Sequence, residues 1–177
     1  GPDHVEWLGD TLDAVATEKS MIIKPGAPAV VAEARGPFRR RAAECGVPLI
    51  VPREGQEWDS RGTSSLIYQG RRYRIPFEGR SFTSNAVLAL SALEAADVHL
   101  PWAAIHRGLS RCRWPGRGEW VRWRGRPWLL DVAHNPHAMG SLKETFRSRF
   151  PRTHPIVVLS LLRAKDAAGV LAALAPW

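Results

Sequence analysis

Residues 29–51 have the sequence AVVAEARGPFRRRAAECGVPLIV, in which two short apolar runs flank a helix-forming segment. The runs Ala29–Ala32 and Leu49–Val51 are typical of short buried strands. Between them, Pro37–Cys45 is typical of a helix, and Gly46 provides its stop. Two strands separated by a helix at this spacing indicate a parallel pair. The stretch therefore predicts an α/β fold.

The flanking sequence predicts more elements of the same kind. Asp10 and Thr11 predict the start of a helix that stops at Pro25-Gly26, and Ser84 predicts a cap for the helix after it. The remaining predictions are a loop over 52–64, a hairpin over 66–75 turning at Gly70, helices over 85–96, 101–112, 136–150 and 166–174, a hairpin of 119–121 with 128–132 turning at Gly125, and a strand over 156–162. We expect a domain boundary at Pro115-Gly116, which separates 1–114 from 115–177.

The composition is that of a globular protein. The 177 residues are 45% hydrophobic and 24% charged, and no apolar run is long enough to span a membrane. Only two cysteines are present, Cys45 and Cys112, which indicates a reducing compartment. We therefore expect a cytoplasmic protein without a membrane partner.

The positive charge is concentrated in one segment. The formal net charge is +8, and residues 107–126 contain seven arginines and one acid, Glu119, with tryptophans in and beside them. Such a segment can bind nucleic acid through phosphate contacts and base stacking. However, arginine is preferred throughout the chain, which has only four lysines. We do not expect a nucleic-acid partner, although the basic binding module stays open as an alternative.

Five motifs occur in a fixed order. They are DHVEWLGDT at 3–11, EKSMIIKPG at 18–26, SNA at 84–86, PGRGE at 115–119 and DVAHNPH at 131–137. Together they resemble the Mur-type ATP-dependent amide ligases, and within them most closely the folylpolyglutamate synthase/dihydrofolate synthase family. The resemblance covers nearly the whole chain. It implies an α/β fold made of part of a Mur-ligase central domain, residues 1–114, followed by part of a Rossmann-like C-terminal domain, residues 115–177.

The resemblance also implies a reaction in folate metabolism. ATP phosphorylates a carboxylate, and the amine of L-glutamate displaces the phosphate to form an amide. The implied cofactors are ATP and Mg²⁺, and the implied small-molecule partners are ATP, L-glutamate and dihydropteroate or folate. We expect a monomer.

The same resemblance assigns roles to single residues. Lys19 matches a lysine that is carbamylated in the family, and His4 matches a metal-binding histidine. Asn85 matches an asparagine near the adenine, and Arg117 matches an arginine that reaches the phosphates. Asp131 matches the residue that contacts the ribose, with the turn at His134 lying against it.

Each of these residues also has an ordinary structural interpretation. Lys19 can be a solvated helix lysine paired with Glu18 or a neighbour, and His4 a surface histidine. Asn85 and Asp131 are residue types that cap helices, and each precedes or begins a predicted helix. Arg117 is one of seven arginines in its segment.

The match to the family has departures. Ser20-Met21 replaces Ala-Gly beside Lys19, and Val132 replaces a glycine. The chain contains no G-x-x-x-x-G-K-[ST] phosphate loop. We therefore expect a piece of a longer ligase, inactive by itself. A ligase acting on a cell-wall precursor and a non-catalytic remnant are the other possibilities.

Overall fold

The computed structural model describes residues 11–52, 56–59 and 63–175. They form two compact units. The first unit combines the described residues before position 55 with Ser84–Ile105, and the second combines Gln56–Thr83 with the described residues from His106 onward. The expected domain boundary between 114 and 115 remains a proposal.

The first unit contains a strand–helix–strand arrangement. Its first elements are α1 (Leu12–Ser20), β1 (Ala29–Val30), α2 (Gly36–Cys45) and β2 (Leu49–Ile50). The strands are parallel, with Ala29 opposite Leu49 and Val30 opposite Ile50. The predicted α/β arrangement is confirmed, because a parallel pair needs a crossover and α2 provides it.

The start of α1 and the end of α2 are set by the residues expected to set them, whereas the predicted stop of α1 at Pro25-Gly26 is wrong, because the helix already ends at Ser20. The Thr11 hydroxyl accepts the Ala14 N–H at 3.1 Å and so caps α1. Val15 and Ala16 of α1 are buried, which fixes its inner face. Helix α2 ends at Gly46, whose φ of +64° lies in the left-handed region that glycine adopts without strain.

The second unit begins with a three-stranded antiparallel sheet in the order β3 (Gln56–Asp59), β4 (Thr63–Tyr68) and β5 (Arg71–Ile75). Gln69 and Gly70 both have positive φ, as a tight two-residue hairpin turn requires. The predicted hairpin is confirmed. The predicted loop over 52–64 is wrong at 56–59 and 63–64, because Gln56–Asp59 pairs with Thr63–Leu66 through backbone hydrogen bonds that do not depend on an apolar pattern; residues 53–55 and 60–62 lie outside the described residues.

Two helices follow along the chain, α3 (Arg80–Ala95) and α4 (Trp102–Ser110), and their residues within Ser84–Ile105 belong to the first unit. The prediction that Ser84 caps a helix beginning at Asn85 is wrong, because α3 begins one turn earlier. Gly79 has a φ of +113° and its carbonyl accepts the Phe82 N–H, which starts the helix there. Thr83 lies in this first turn and is almost fully buried, so its packing also favours a helix start upstream of Ser84.

The second unit continues with β6 (Glu119–Trp123), β7 (Arg126–Leu130), α5 (Pro136–Arg149) and α6 (Ala167–Leu174). Strands β6 and β7 form the predicted hairpin, and Arg124-Gly125 makes its turn with positive φ at both residues. Trp120 packs against Phe146 of α5 and against Phe150, the residue directly after α5, with ring centroids 6.3 and 5.3 Å apart. This aromatic cluster attaches the hairpin to α5.

The predicted strand over 156–162 is wrong for the described chain. Residues 156–162 pair with none of its strands, and Ile156, Val158 and Leu162 have exposed fractions of 92%, 82% and 75%. An apolar run becomes a strand only when a neighbouring strand satisfies its backbone groups. In the described part of the chain, no helix combines the length and apolar character needed to cross a membrane.

Candidate functional site

The loop before β6 has two glycines in a conformation that other residues adopt only with strain. Gly116 and Gly118 have φ values of +72° and +60°. Arg117 lies between them, and its N–H donates to the Trp114 carbonyl at 3.1 Å. The sequence Pro115-Gly116-Arg117-Gly118 therefore makes a tight turn that presents one arginine.

Two carboxylates hold the backbone of this turn. The Glu119 Oε2 accepts the Gly116 N–H at 2.8 Å, and the Asp131 Oδ2 accepts the Gly118 N–H at 2.8 Å. The other oxygen of Asp131, Oδ1, accepts the Ala133 N–H at 2.8 Å. Asp131 comes directly after β7, so it connects the end of that strand to the arginine turn.

The Arg117 side chain lies against an aromatic ring. Its guanidinium carbon is 4.8 Å from the centroid of the Trp114 ring, within the range of a cation–π contact. Arg117 is half-buried, whereas 53% of Trp114 is exposed. No carboxylate of the described residues forms an ion pair with Arg117, so its charge can be used by an anion.

The segment after Asp131 leads into α5. The Nδ1 atom of His134 lies 2.9 Å from the Val132 carbonyl oxygen, within hydrogen-bond distance. Asn135 caps α5 by accepting the Ala138 N–H at 2.8 Å, and Pro136 occupies the first turn. The interpretation of Asp131 as the cap of this helix is therefore wrong, because Asn135 has that role.

In the first unit, Lys19 lies at the exposed end of α1. No residue of the described chain forms an ion pair with it, so the predicted pairing with Glu18 or a neighbour is wrong, whereas its side chain is exposed, as expected for a solvated helix lysine. The backbone that follows Lys19 is fixed at Ile23, which is buried. The Ile23 carbonyl accepts hydrogen bonds from Arg41 Nε at 3.2 Å and from Cys45 Sγ at 3.5 Å.

The replacement of Ala-Gly by Ser20-Met21 is accommodated locally. Met21 has ordinary helical angles, φ −63° and ψ −13°, so this position does not need glycine. Ser20 is buried, and its hydroxyl donates to the Thr17 carbonyl at 2.6 Å. The backbone around Lys19 is therefore unstrained by the two larger side chains.

Asn85 lies in the interior of α3, one turn and a half from its start, with an exposed side chain. The interpretation of Asn85 as a helix cap is therefore wrong. Asparagine is a poor interior helix residue, because its amide competes for backbone hydrogen bonds. The binding role of Asn85 stays a prediction.

His4 lies outside the described residues. Within residues 11–52, 56–59 and 63–175, no group of three or more His, Cys, Asp or Glu side chains is arranged to hold a metal ion. Of the other expected site residues, the structure brings Arg117 and Asp131 together through Gly118, with His134 close behind in the chain. Lys19 and Asn85 both belong to the first unit.

Three contributing residues were missed from the sequence. Glu119 and Trp114 hold the arginine turn, and Arg41 holds the chain after Lys19. The glycines on either side of Arg117 indicate a turn with a flexible backbone. Glu119, three residues after Gly116, is an acid whose carboxylate can accept a backbone N–H of that turn. Arg41 gave no such signal, because it lies 18 residues from Ile23.

Comparison with known proteins gives a consistent result, although no protein-family model matches. The dihydrofolate synthase/folylpolyglutamate synthase of Escherichia coli is 29% identical over 182 residues, which is 96% of this chain and 41% of that protein. The Mycobacterium tuberculosis protein of the same name is 32% identical over 199 residues, 98% of this chain and 40% of that protein. The chain thus spans about two fifths of the relatives it matches.

Solved structures agree with the sequence comparison. A folylpolyglutamate synthase complex with AMPPCP and folate matches with a TM-score of 0.81 at 25% identity, covering 99% of this chain and 47% of that chain. A bifunctional folylpolyglutamate synthase/dihydrofolate synthase with Mn, AMPPNP and L-glutamate bound has a TM-score of 0.75 at 30% identity, covering 99% and 43%.

The fold is therefore the α/β fold of the Mur-type ligases. Within that class, the chain belongs to the folylpolyglutamate synthase/dihydrofolate synthase family.

Proposed function

We propose that this chain is part of an ATP-dependent ligase that joins L-glutamate to dihydropteroate or to a folate. The observation that carries the proposal is the hydrogen bond from the Gly118 N–H to Asp131 Oδ2. It connects the two motifs, PGRGE and DVAHNPH, to which the family resemblance gives nucleotide contacts. Groups that are 13 residues apart and held together beside an arginine are suited to one shared ligand.

The two side chains fit different parts of a nucleotide. The Arg117 guanidinium is positive, planar and without an ion-pair partner among the described residues, so it can bind phosphate oxygens at two points. Each Asp131 oxygen accepts one backbone N–H, and a carboxylate can accept about four hydrogen bonds in total. Asp131 can therefore also accept the hydroxyls of a ribose. Asn85 would contact the adenine, and His134 would lie beside the ribose.

The proposed reaction has two steps. A carboxylate oxygen of the folate-type substrate attacks the terminal phosphorus of ATP, and ADP leaves with the electrons of the broken P–O bond. The glutamate nitrogen then attacks the acyl carbon, phosphate leaves, and the amine loses a proton. Arg117 would offset the charge that moves onto the leaving oxygens, and this role needs a cation fixed before the reaction.

The proposal also includes Mg²⁺ and a modified lysine. The Lys19 amine would add carbon dioxide and lose a proton, and the resulting carbamate would supply an anionic oxygen of the kind that Mg²⁺ prefers. Its exposure and its lack of an ion pair in the described chain leave the amine accessible to carbon dioxide. His4 would be a second metal ligand, and no step is assigned to the metal here.

The remaining expectations follow from this function. The protein would be a cytoplasmic monomer that binds small molecules and no nucleic acid, with residues 1–114 in a central ATPase domain and 115–177 in a C-terminal domain. The 177 residues include no phosphate loop, so turnover would need further chain.

An acceptor panel tests the proposal. The complete polypeptide that contains this sequence is incubated with ATP, Mg²⁺ and L-glutamate, and ADP release and product mass are measured with dihydropteroate, with tetrahydrofolate and with a UDP-linked cell-wall precursor. We expect glutamate-dependent ADP release with at least one of the first two. Turnover with the cell-wall precursor alone would instead identify a different Mur-type ligase.

A further inference from the structure

Glu119 has a contact that the functional assignment does not explain. It is the first residue of β6 and half-buried, and its carboxylate reaches back across the turn to accept the Gly116 N–H at 2.8 Å. The bond closes a turn of four residues, 116–119, around Arg117. With the Asp131 bond to Gly118, the backbone is held on both sides of the arginine.

We propose that Glu119 is a positioning residue for Arg117, and that the Trp114 ring is the second part of the same support. The inference rests on the proposed function, since Arg117 needs a nucleotide phosphate as its ligand. Glu119 acts through Arg117 and does not itself contact the ligand.

The conformational freedom of the turn is the reason that such support is needed. Glycine has the largest choice of backbone angles, and here one glycine stands on each side of the arginine. Without the Glu119 bond, the chain before Arg117 would be free to leave the left-handed conformation seen at Gly116. A charged group that moves cannot stabilise a transition state without first being ordered.

The Trp114 contact restricts the side chain in the same way. More than half of Trp114 is exposed, so the stack buries little of its ring, and its main effect is on the guanidinium above it. The chain offers a matched comparison in Trp123, which is 56% exposed and lies 4.7 Å below the Arg124 guanidinium. That second stack is at the tip of the β6–β7 hairpin and has no bond to Asp131 or Glu119.

A double-mutant cycle in the complete polypeptide tests the proposal. The variants are Glu119→Ala, Glu119→Gln, Arg117→Ala and Glu119→Ala combined with Arg117→Ala. For each, kcat and the KM values for ATP and glutamate are measured, and circular dichroism checks that the protein is folded. Trp114→Leu is compared with the control Trp123→Leu.

We expect Glu119→Ala to lower kcat/KM for ATP about tenfold, as the loss of one hydrogen bond to a charged group predicts, with the KM for glutamate unchanged. Glu119→Gln keeps an oxygen that can accept the Gly116 N–H, so it should recover most of the loss. In the Arg117→Ala background, Glu119→Ala should have no further effect, because its action passes through Arg117. Trp114→Leu should resemble Glu119→Ala, and Trp123→Leu should equal the wild type.

Two results would overturn the positioning role while leaving the ligase in place. One is a Glu119→Ala variant with wild-type kcat/KM for ATP next to an impaired Arg117→Ala variant. The other is an additive double variant, which means that Glu119 acts independently of Arg117. If Glu119→Ala does not fold, Trp114→Leu against Trp123→Leu decides the question. Wild-type protein without glutamate-dependent ADP release would refute the proposed function, and the positioning role with it.

Discussion

Asp131 connects the arginine turn to the end of β7, so we expect a small chemical change at this residue to lower the stability of the protein measurably. Asp131→Asn replaces one carboxylate oxygen by an NH₂ group and leaves the shape nearly unchanged. In the wild type both oxygens accept a backbone N–H at 2.8 Å, from Gly118 and from Ala133. The amide has one oxygen, so whichever way it turns, one N–H faces another donor.

The size of the loss can be worked out from these contacts. A hydrogen bond to a charged group contributes about 1.5–3 kcal/mol, and Asp131 is half-buried, so we take the lower part of that range. Asp131→Asn should therefore cost about 2 kcal/mol. In a chain of this length, that lowers the melting temperature by about 4–8 °C.

Asp166 offers the matched control. Its carboxylate caps α6 by accepting one N–H, from Gly169 at 2.8 Å. Asparagine caps helices about as well as aspartate does, so Asp166→Asn should change the stability by less than about 0.5 kcal/mol. Both variants are measured by thermal unfolding followed by circular dichroism. Melting temperatures within about 1 °C of each other would show that the Asp131 bridge contributes nothing, and the reasoning behind the candidate site would fail.

Three further predictions concern other parts of the chain. Gly169→Ala should lower the melting temperature, because a Cβ there would clash with the Asp166 carboxylate and lie 2.7 Å from Pro136 Cγ, whereas Gly140→Ala, with nothing within 4 Å, should raise stability by about 1 kcal/mol. Scanning calorimetry of the two variants measures both shifts, and equal shifts would contradict the steric argument. Lys19→Ala in the complete polypeptide should abolish most glutamate-dependent ADP release, with partial recovery on adding short carboxylates; undiminished turnover would refute the carbamate role. Met21→Gly should leave the KM for ATP unchanged and destabilise by at most about 1 kcal/mol, because Met21 already has helical angles; a gain in turnover would show that its side chain obstructs the site.

Local signals in the sequence predicted the parts of the fold that depend on neighbouring residues. Thr11 marks the start of α1 and Gly46 the end of α2, because a hydroxyl cap and a left-handed glycine each act within one helical turn. Gly70 and Gly125 marked hairpins for the same reason, since each turn needs positive φ. These features need no knowledge of the rest of the chain.

The wrong predictions depend on distant partners. Residues 56–59 are a strand because β4 lies beside them, and their sequence QEWD has no alternating pattern. Residues 156–162 have the composition of a strand, yet no strand of the described chain lies beside them. Whether a segment forms a strand depends on a neighbouring strand, and the composition of the segment does not show whether one is present.

The same distinction between local signals and distant contacts holds for the candidate site. The motifs assign roles to single residues, and that assignment stays a prediction, whereas the contacts of each residue could not be predicted from the sequence. From the sequence, Asn85 and Asp131 both look like helix caps. In the structure, Asn85 lies in the interior of α3, and Asp131 accepts a hydrogen bond from the Gly118 N–H. The true cap of α5 is Asn135, four residues after Asp131, because a cap must lie directly at the first turn.

The arginine turn explains why one arginine differs from its neighbours. Seven arginines lie between positions 107 and 126, and composition treats them alike. Arg117 is distinguished by its backbone, because Glu119 holds the residue before it and Asp131 holds the residue after it. Fixing a cation through its backbone leaves the guanidinium available for a ligand, whereas fixing it through an ion pair would neutralise it. The spacing Gly-Arg-Gly-Glu therefore lets the turn present a positive charge that is ordered and that no carboxylate of the described residues pairs.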